Sequence, residues 1–163
     1  MVGERGQGLS VAMHLLNESR VGVAAQSVGM AQYALERAAT YAAERVAFGV
    51  PIIEHQAVQI MLADMVIRTE SARALTQRAA LAYDTGSDEC LMLAAAAKAA
   101  GTDNAVATAL DAIQIHGANG LTQDYGVERV LRDAKGFQIF EGTNQIMRLT
   151  IAKALTGKLG KGA

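Results

Sequence analysis

VGMAQYALERAATYA, running from Val28 to Ala42, carries apolar or small residues at Val28, Ala31, Leu35, Ala38 and Ala42. Those steps of three and four place them on one face of an α-helix, because a helix turns once in 3.6 residues. Extended outward, the pattern begins near Leu9 and runs to about Ala47, where Gly49 and Pro51 stop it. Phe48 is expected to anchor that turn. A second helix opens at His55-Gln56, shows Val58, Leu62, Met65, Ala72 and Leu75 on one face, and ends at Asp84-Thr85-Gly86-Ser87-Asp88. A third runs from about Glu89 to His116, with Ala99, Val106, Leu110 and Ile113 expected inward and Met92 as adaptable filler, like Met147. Short helices follow over Asp124–Lys135 and from Thr143 to about Leu159. The expected fold is all-α, an up-down bundle of three long and two short helices.

Composition agrees with packed helices in one domain. The 163 residues are 51% hydrophobic and 19% charged, with one proline and long alanine tracts. Alanine-lined helices approach closely, and so apolar a chain is expected to bury further surface in an oligomer. A formal net charge of −1 without a basic cluster points away from nucleic acid and from an anionic membrane surface. The most apolar run, Leu91–Ala100, is interrupted by Lys98 and is too short to span a bilayer. Cys90 is the sole cysteine, which excludes an intrachain disulfide and suits a reducing compartment, either the cytoplasm of a bacterium or the mitochondrial matrix. Gly3, Gly6 and Gly8 follow no strand and lack the spacing of a phosphate loop, so they read as a lead-in.

The chemistry concentrates in Lys135–Arg148, KGFQIFEGTNQIMR. Glu141 follows the apolar Phe137, Ile139 and Phe140 and precedes Gly142, where a ligand can approach the backbone closely. Thr143 can then cap a new helix. Desolvation and nearby amides pull a carboxyl's proton affinity in opposite directions, and such a setting makes Glu141 a candidate general base. A solvated turn carboxylate is the plainer alternative. Arg20, one turn beyond Asn17, is either a surface group or a partner for an anion. Arg45 offers a planar donor fork suited to phosphate oxygens, although arginine near a helix C-terminus is also favoured by the helix dipole. His55 lacks a second ligand at metal spacing. Gln114-Ile115-His116-Gly117-Ala118 ends a helix in small residues whose amides can meet a phosphate or a carbonyl, and a plain glycine cap explains it nearly as well.

Four motifs, in this order and spacing, resemble the C-terminal helical domain of the acyl-CoA dehydrogenases, from about Gly6 to Leu155. They are Arg45-x-x-Phe48-Gly49-x-Pro51-Ile52 with Gln56, Gln114-Ile115-x-Gly117-x-x-Gly120, Arg132-Asp133-Ala134-Lys135, and Glu141-Gly142-Thr143-x-Gln145-Ile146. The resemblance implies an FAD-dependent α,β-dehydrogenation of an acyl-CoA thioester, with electrons leaving through an electron-transfer flavoprotein and with a homodimer or homotetramer as the assembly. It makes Glu141 the base, Gly142 a substrate contact, and Asn17, Glu18, Ser19 and Arg20 the face toward acyl-CoA. Thr143, Asn144 and Gln145 would lie beside the flavin. Arg45, Ala47 and Phe48 would lie near the pyrophosphate, with His55 and Gln56 on the nucleotide part. Gln114, Ile115, His116, Gly117 and Ala118 would reach the same cofactor across a dimer interface. Ala118 stands where a second glycine is common and His116 where an apolar residue is usual. Some relatives carry the base at the position of Ser19 instead, and serine cannot serve there, since an unactivated hydroxyl holds its proton too tightly. The resemblance also implies an N-terminal helical domain and a β-domain absent from these residues. A flavin oxidase or monooxygenase on the same frame, or a non-catalytic helical oligomerisation module, are the alternatives.

Overall fold

Alanine sets how closely the helices meet. The computed structural model describes residues 3–159, with α1 over Gly8–Glu44, α2 over Gln56–Asp84, α3 over Cys90–His116, α4 over Val127–Phe137 and α5 over Asn144–Leu159. Ala24, Ala31 and Ala38 on α1, Met65, Ala72 and Ala79 on α2, and Lys98, Ala105 and Ala112 on α3 are all sealed from solvent. Each triplet repeats every seven residues, the spacing that keeps one stripe of a helix against its neighbours. Between α1 and α3, a Cβ added to Gly101 would lie 3.3 Å from the Ala24 carbonyl oxygen.

Cross-links define the directions. Tyr41 near the end of α1 stacks on His116 at the end of α3, centroids 4.3 Å apart, so these two helices run parallel. Arg73 on α2 donates to Gln32 on α1, and the Arg68 carbonyl accepts from Asn104 on α3, so α2 runs against both. Arg68 also pairs with Asp111. The outcome is the expected up-down-up bundle. Val127, Val130 and Ala134 bury one face of α4 against it, and Met147 seats α5 on Ala95 and Ala99.

Four details differ from the sequence reading. The first helix stops at Glu44 rather than about Ala47, because Val46–Ala47 and Val50–Pro51 pair as a two-rung antiparallel hairpin. Phe48 and Gly49 both take positive φ, +54° and +85°, as a tight hairpin turn requires. Phe48 therefore does not anchor the turn by burial: it is 97% exposed, and its ring stands T-shaped to that of His55 with centroids 6.0 Å apart. Leu110 faces solvent, because the inward line of α3 at that turn is Thr108, Ala109 and Ala112. The first short helix begins at Val127, not Asp124, since Gly126 holds a left-handed conformation that no helix can include. Among the described residues no helix is long and apolar enough to cross a membrane.

Candidate active site

The last turn of α4 unwinds through Gln138–Phe140, with the Ile139 and Phe140 amides donating to the Gly136 carbonyl. The chain then turns on two consecutive left-handed residues, Glu141 at φ +57° and Gly142 at φ +95°. For a residue with a Cβ that conformation costs about 1–2 kcal/mol, so it persists only where the surroundings enforce it. Thr143 ends the turn as expected, its hydroxyl accepting from the Ile146 amide at the start of α5.

The enforcing contacts come from two helices. From α1, Arg20 Nε donates to the Glu141 carbonyl oxygen at 3.1 Å, while its Nη1 donates to Asn17 Oδ1. From α3, Lys98 Nζ donates to the Gly142 carbonyl at 2.8 Å and to Asn144 Oδ1 at 2.9 Å. The carboxylate of Glu141 is itself held, since Ser19 Oγ donates to its Oε2 at 2.9 Å. Asn17, Ser19, Arg20, Glu141 and Gly142 thus form one cluster, whereas Glu18 turns to solvent. Gly142 is tightly enclosed: a Cβ there would meet Met147 Cε at 2.8 Å. The apolar flank differs from the sequence reading, because Ile139 and Phe140 lie largely exposed in this chain.

Arg20 is buried, which lowers its pKa, and Glu141 and Tyr83 partly restore it. Burial pushes the Asp103 carboxyl up, but hydrogen bonds from Arg148, Asn144 and Gln138 outweigh that and hold it below its ordinary value. Asn144 is fully engaged inward: its amide nitrogen donates to Thr102 Oγ1 at 2.7 Å and to Asp103 Oδ1 at 2.6 Å. Its side chain therefore ties the loop to α3, while Thr143 and Gln145 line an open cleft of about 400 Å³ with Asp103, Gln138 and Arg148.

The second group of residues lies at the other end of the bundle. Arg45, Gln114, Gly117 and Ala118 line one cleft of about 290 Å³ between the ends of α1 and α3, with Ile115 and His116 beneath, so a single chain brings together two groups that the sequence reading assigned to opposite sides of a dimer interface. His116 is buried, its Nδ1 donating to the Ala112 carbonyl at 2.7 Å, and its Nε2 is a buried nitrogen without a partner among the described residues. Burial lowers its pKa, so the neutral ring is favoured. Gly117 takes φ +61° with open space where a Cβ would stand, which leaves its backbone free to approach a ligand. His55 Nε2 lies 3.2 Å from the Ala47 carbonyl, and Gln56 opens α2 with its side chain exposed. About 25 residues separate Arg20 from Arg45, so ~37 Å of helix divides the two groups.

The family description "Acyl-CoA dehydrogenase, C-terminal domain" fits residues 6–156. The chain belongs to that family. Over 157 residues it is 49% identical to an acyl-CoA dehydrogenase of Bacillus subtilis, a match covering 96% of this chain and 41% of the relative. Butyryl-CoA dehydrogenase of Megasphaera elsdenii superposes with a TM-score of 0.92 at 40% identity, over 94% of this chain and 40% of that one. The prolyl acyl carrier protein oxidase AnaB superposes at 0.87 with 34% identity, over the same shares. The chain thus spans about 40% of the length of these relatives.

In this acyl-CoA dehydrogenase domain, one residue of the Glu141 site is missing from the sequence reading. Lys98 reads as an interruption in an alanine run, yet it is wholly buried and bonded to the loop after Glu141. Ser19, which the sequence places toward acyl-CoA and excludes as a base, is in addition a donor to the carboxylate. A signal for Lys98 did exist, since it falls in the same seven-residue series as Ala105 and Ala112.

Proposed function

We propose that the full-length protein is an FAD-dependent acyl-CoA dehydrogenase in which Glu141 removes the α-proton of an acyl-CoA thioester. The observation that carries this is the Glu141 turn itself, a carboxylate on a left-handed backbone, steadied by Ser19 and Arg20, in a domain of this family. A thioester α-proton is weakly acidic, so the base has to be aimed and shielded before it can act. Ser19 leaves one carboxylate oxygen committed to a hydrogen bond and the other to point at the substrate. Bound flavin supplies the acceptor for the β-hydride. Asn17 and Arg20 flank the acyl-CoA side, Gly142 brings backbone close to the thioester, and Glu18 contributes charge at the mouth.

The cleft at the far end fits an anionic dinucleotide. Arg45 would hold the pyrophosphate, with Gly117 and Ala118 close enough for backbone contacts above the buried, neutral ring of His116. Ala47, Phe48, His55, Gln56, Gln114 and Ile115 frame the nucleotide part, while Thr143 and Gln145 lie by the flavin ring. The sharing between subunits takes a particular form. Arg45 and Gln114 line one cleft of one chain, and ~37 Å of helix separates that cleft from Glu141, beyond the reach of a single dinucleotide. The Glu141 end of one subunit and the Arg45–Gln114 end of its neighbour therefore complete each site, within a homodimer or a dimer of dimers. Reduced flavin would pass its electrons to an electron-transfer flavoprotein.

The likeness to the prolyl acyl carrier protein oxidase supports a second reading, in which dioxygen takes the electrons. Glu141→Gln in the full-length enzyme keeps the side chain's shape and removes the proton acceptor. Acyl-CoA should still bind while flavin bleaching slows at least ~100-fold. Near-normal bleaching in that variant would show the base to be elsewhere, and rapid oxygen consumption by the wild type without another acceptor would favour the oxidase.

A further inference from the structure

We propose that Lys98 is a positioning residue for proton abstraction, holding the Gly142 carbonyl and the Asn144 side chain so that the left-handed turn keeps the Glu141 carboxylate in one orientation. This rests on the reading of Glu141 as the base. Packing alone gives no reason for a lysine at this point. Lys98 is 0% exposed on the inward face of α3, where it heads a seven-residue series of buried positions as the wholly buried Met65 does on α2. A methionine fills similar volume without burying a charge, and an ammonium taken out of water is retained only where its hydrogen bonds are needed. Its partners show the need. Arg20 grips the carbonyl of Glu141 from α1, and Lys98 grips the carbonyl of Gly142 from α3. The two cations fix both peptide planes that follow the base, and Asn144 extends the hold through Thr102 and Asp103.

The charged groups around Lys98 come from each packed element. Burial and Arg20 lower its pKa, Asp103 on its own helix and Glu141 in the loop raise it, and the balance brings it to about 8. Arg148 of α5 is linked to it through Asp103 and Asn144, and Tyr83 of α2 acts on Arg20. The ammonium is therefore present at neutral pH and lost just above it, when a neutral amine with fewer and weaker donors replaces it.

The test uses the full-length flavoenzyme, with stopped-flow flavin reduction by acyl-CoA followed against pH. Wild-type reduction should fall about tenfold per pH unit above about 8, and a rate flat to roughly pH 9.5 overturns the proposal. Lys98→Arg, which stays charged, should lose that high-pH limb, and a limb that persists overturns it. Lys98→Met should slow reduction at least ~30-fold with KM within about threefold, and should speed hydrogen exchange of the Asn144 amide by about tenfold or more. A Lys98→Met enzyme as fast as wild type overturns the proposal. Should that variant not fold, the wild-type and Lys98→Arg profiles decide alone. Glu141→Gln in the same assay separates the two failures: if it still bleaches normally, the assignment of the base has failed, whereas a slow Glu141→Gln beside a fast Lys98→Met removes only the role of Lys98.

Discussion

Two inactive variants should restore each other when mixed, and the structure fixes which pairs can. Arg45 and Gln114 line one cleft, while Glu141 sits against Arg20, ~37 Å along α1. If a flavin is held by the Arg45 end of one subunit and served by the Glu141 end of the other, a dimer of one Glu141→Gln chain and one Arg45→Ala chain has one site with both defects and one site with neither. In a two-fold dimer formed at random from equal amounts, half the dimers are mixed and one site in two is intact, so activity should reach about a quarter of wild type. Arg45→Ala mixed with Gln114→Ala should recover nothing, because every cleft then carries one lesion. The assay is dehydrogenase activity after the purified full-length variants are unfolded together and refolded with FAD, beside each variant treated alone. No gain in the first mixture, although each variant folds and assembles, would refute the division of the site between subunits. Recovery in the second mixture would show that Arg45 and Gln114 meet the flavin from different chains.

The remaining predictions concern single positions and the chain alone. Gly120→Ala would place a Cβ 2.8 Å from the Ile113 carbonyl oxygen and 2.9 Å from its Cα, so it should cost about 2–3 kcal/mol, or roughly 5–10 °C in Tm for a domain of this size; an unchanged melt would show that the segment after α3 yields. Burial sets the His116 pKa below its unfolded value of 6.5, so the unfolded chain binds more protons in acid and stability falls as pH drops below about 6.5. His116→Phe should flatten that fall in urea titrations below about pH 6.5, and an unaltered acid slope would remove His116 as its source. The 163-residue chain by itself should fold and self-associate yet bind little FAD, which analytical ultracentrifugation and flavin absorbance would check; stoichiometric flavin in a purified sample would contradict this.

Helices were legible because their cause is local. The three-and-four spacing of Val28, Ala31, Leu35, Ala38 and Ala42 follows from helical geometry, and four of the five are buried while Leu35 is partly buried against the same core. Leu110 shows where that logic stops, since a leucine near the inward line is indistinguishable by spacing from one that awaits a partner. Phe48 reads as an anchor by residue type, but two positive φ angles throw it outward, and a phenylalanine carries no mark of that conformation. At the site, Glu141, Gly142 and Thr143 were readable because motif and turn chemistry lie within three residues. Lys98 and Ser19 act on them from other helices, Lys98 across 44 sequence positions and Ser19 across 122, and only the packing of α1 and α3 brings them there.

Because one uninterrupted helix carries Arg20 and runs to Glu44, the residue before Arg45, the phase between the two functional ends is counted in residues. Inserting or deleting a single residue between them would turn one end by about 100° against the other and shift it by ~1.5 Å, aiming either the guanidinium that holds the Glu141 turn or the one at the far cleft away from its target. A seven-residue duplication would return both to nearly the same azimuth, since the alanine stripe repeats at that interval, but would lengthen the span by ~10 Å. Length variation among relatives should therefore fall in the hairpin at Phe48-Gly49 or in the turn at Asp84–Asp88 and be missing from the middle of α1. Insertions there that leave both ends working would mean the rod is not what keeps them in phase.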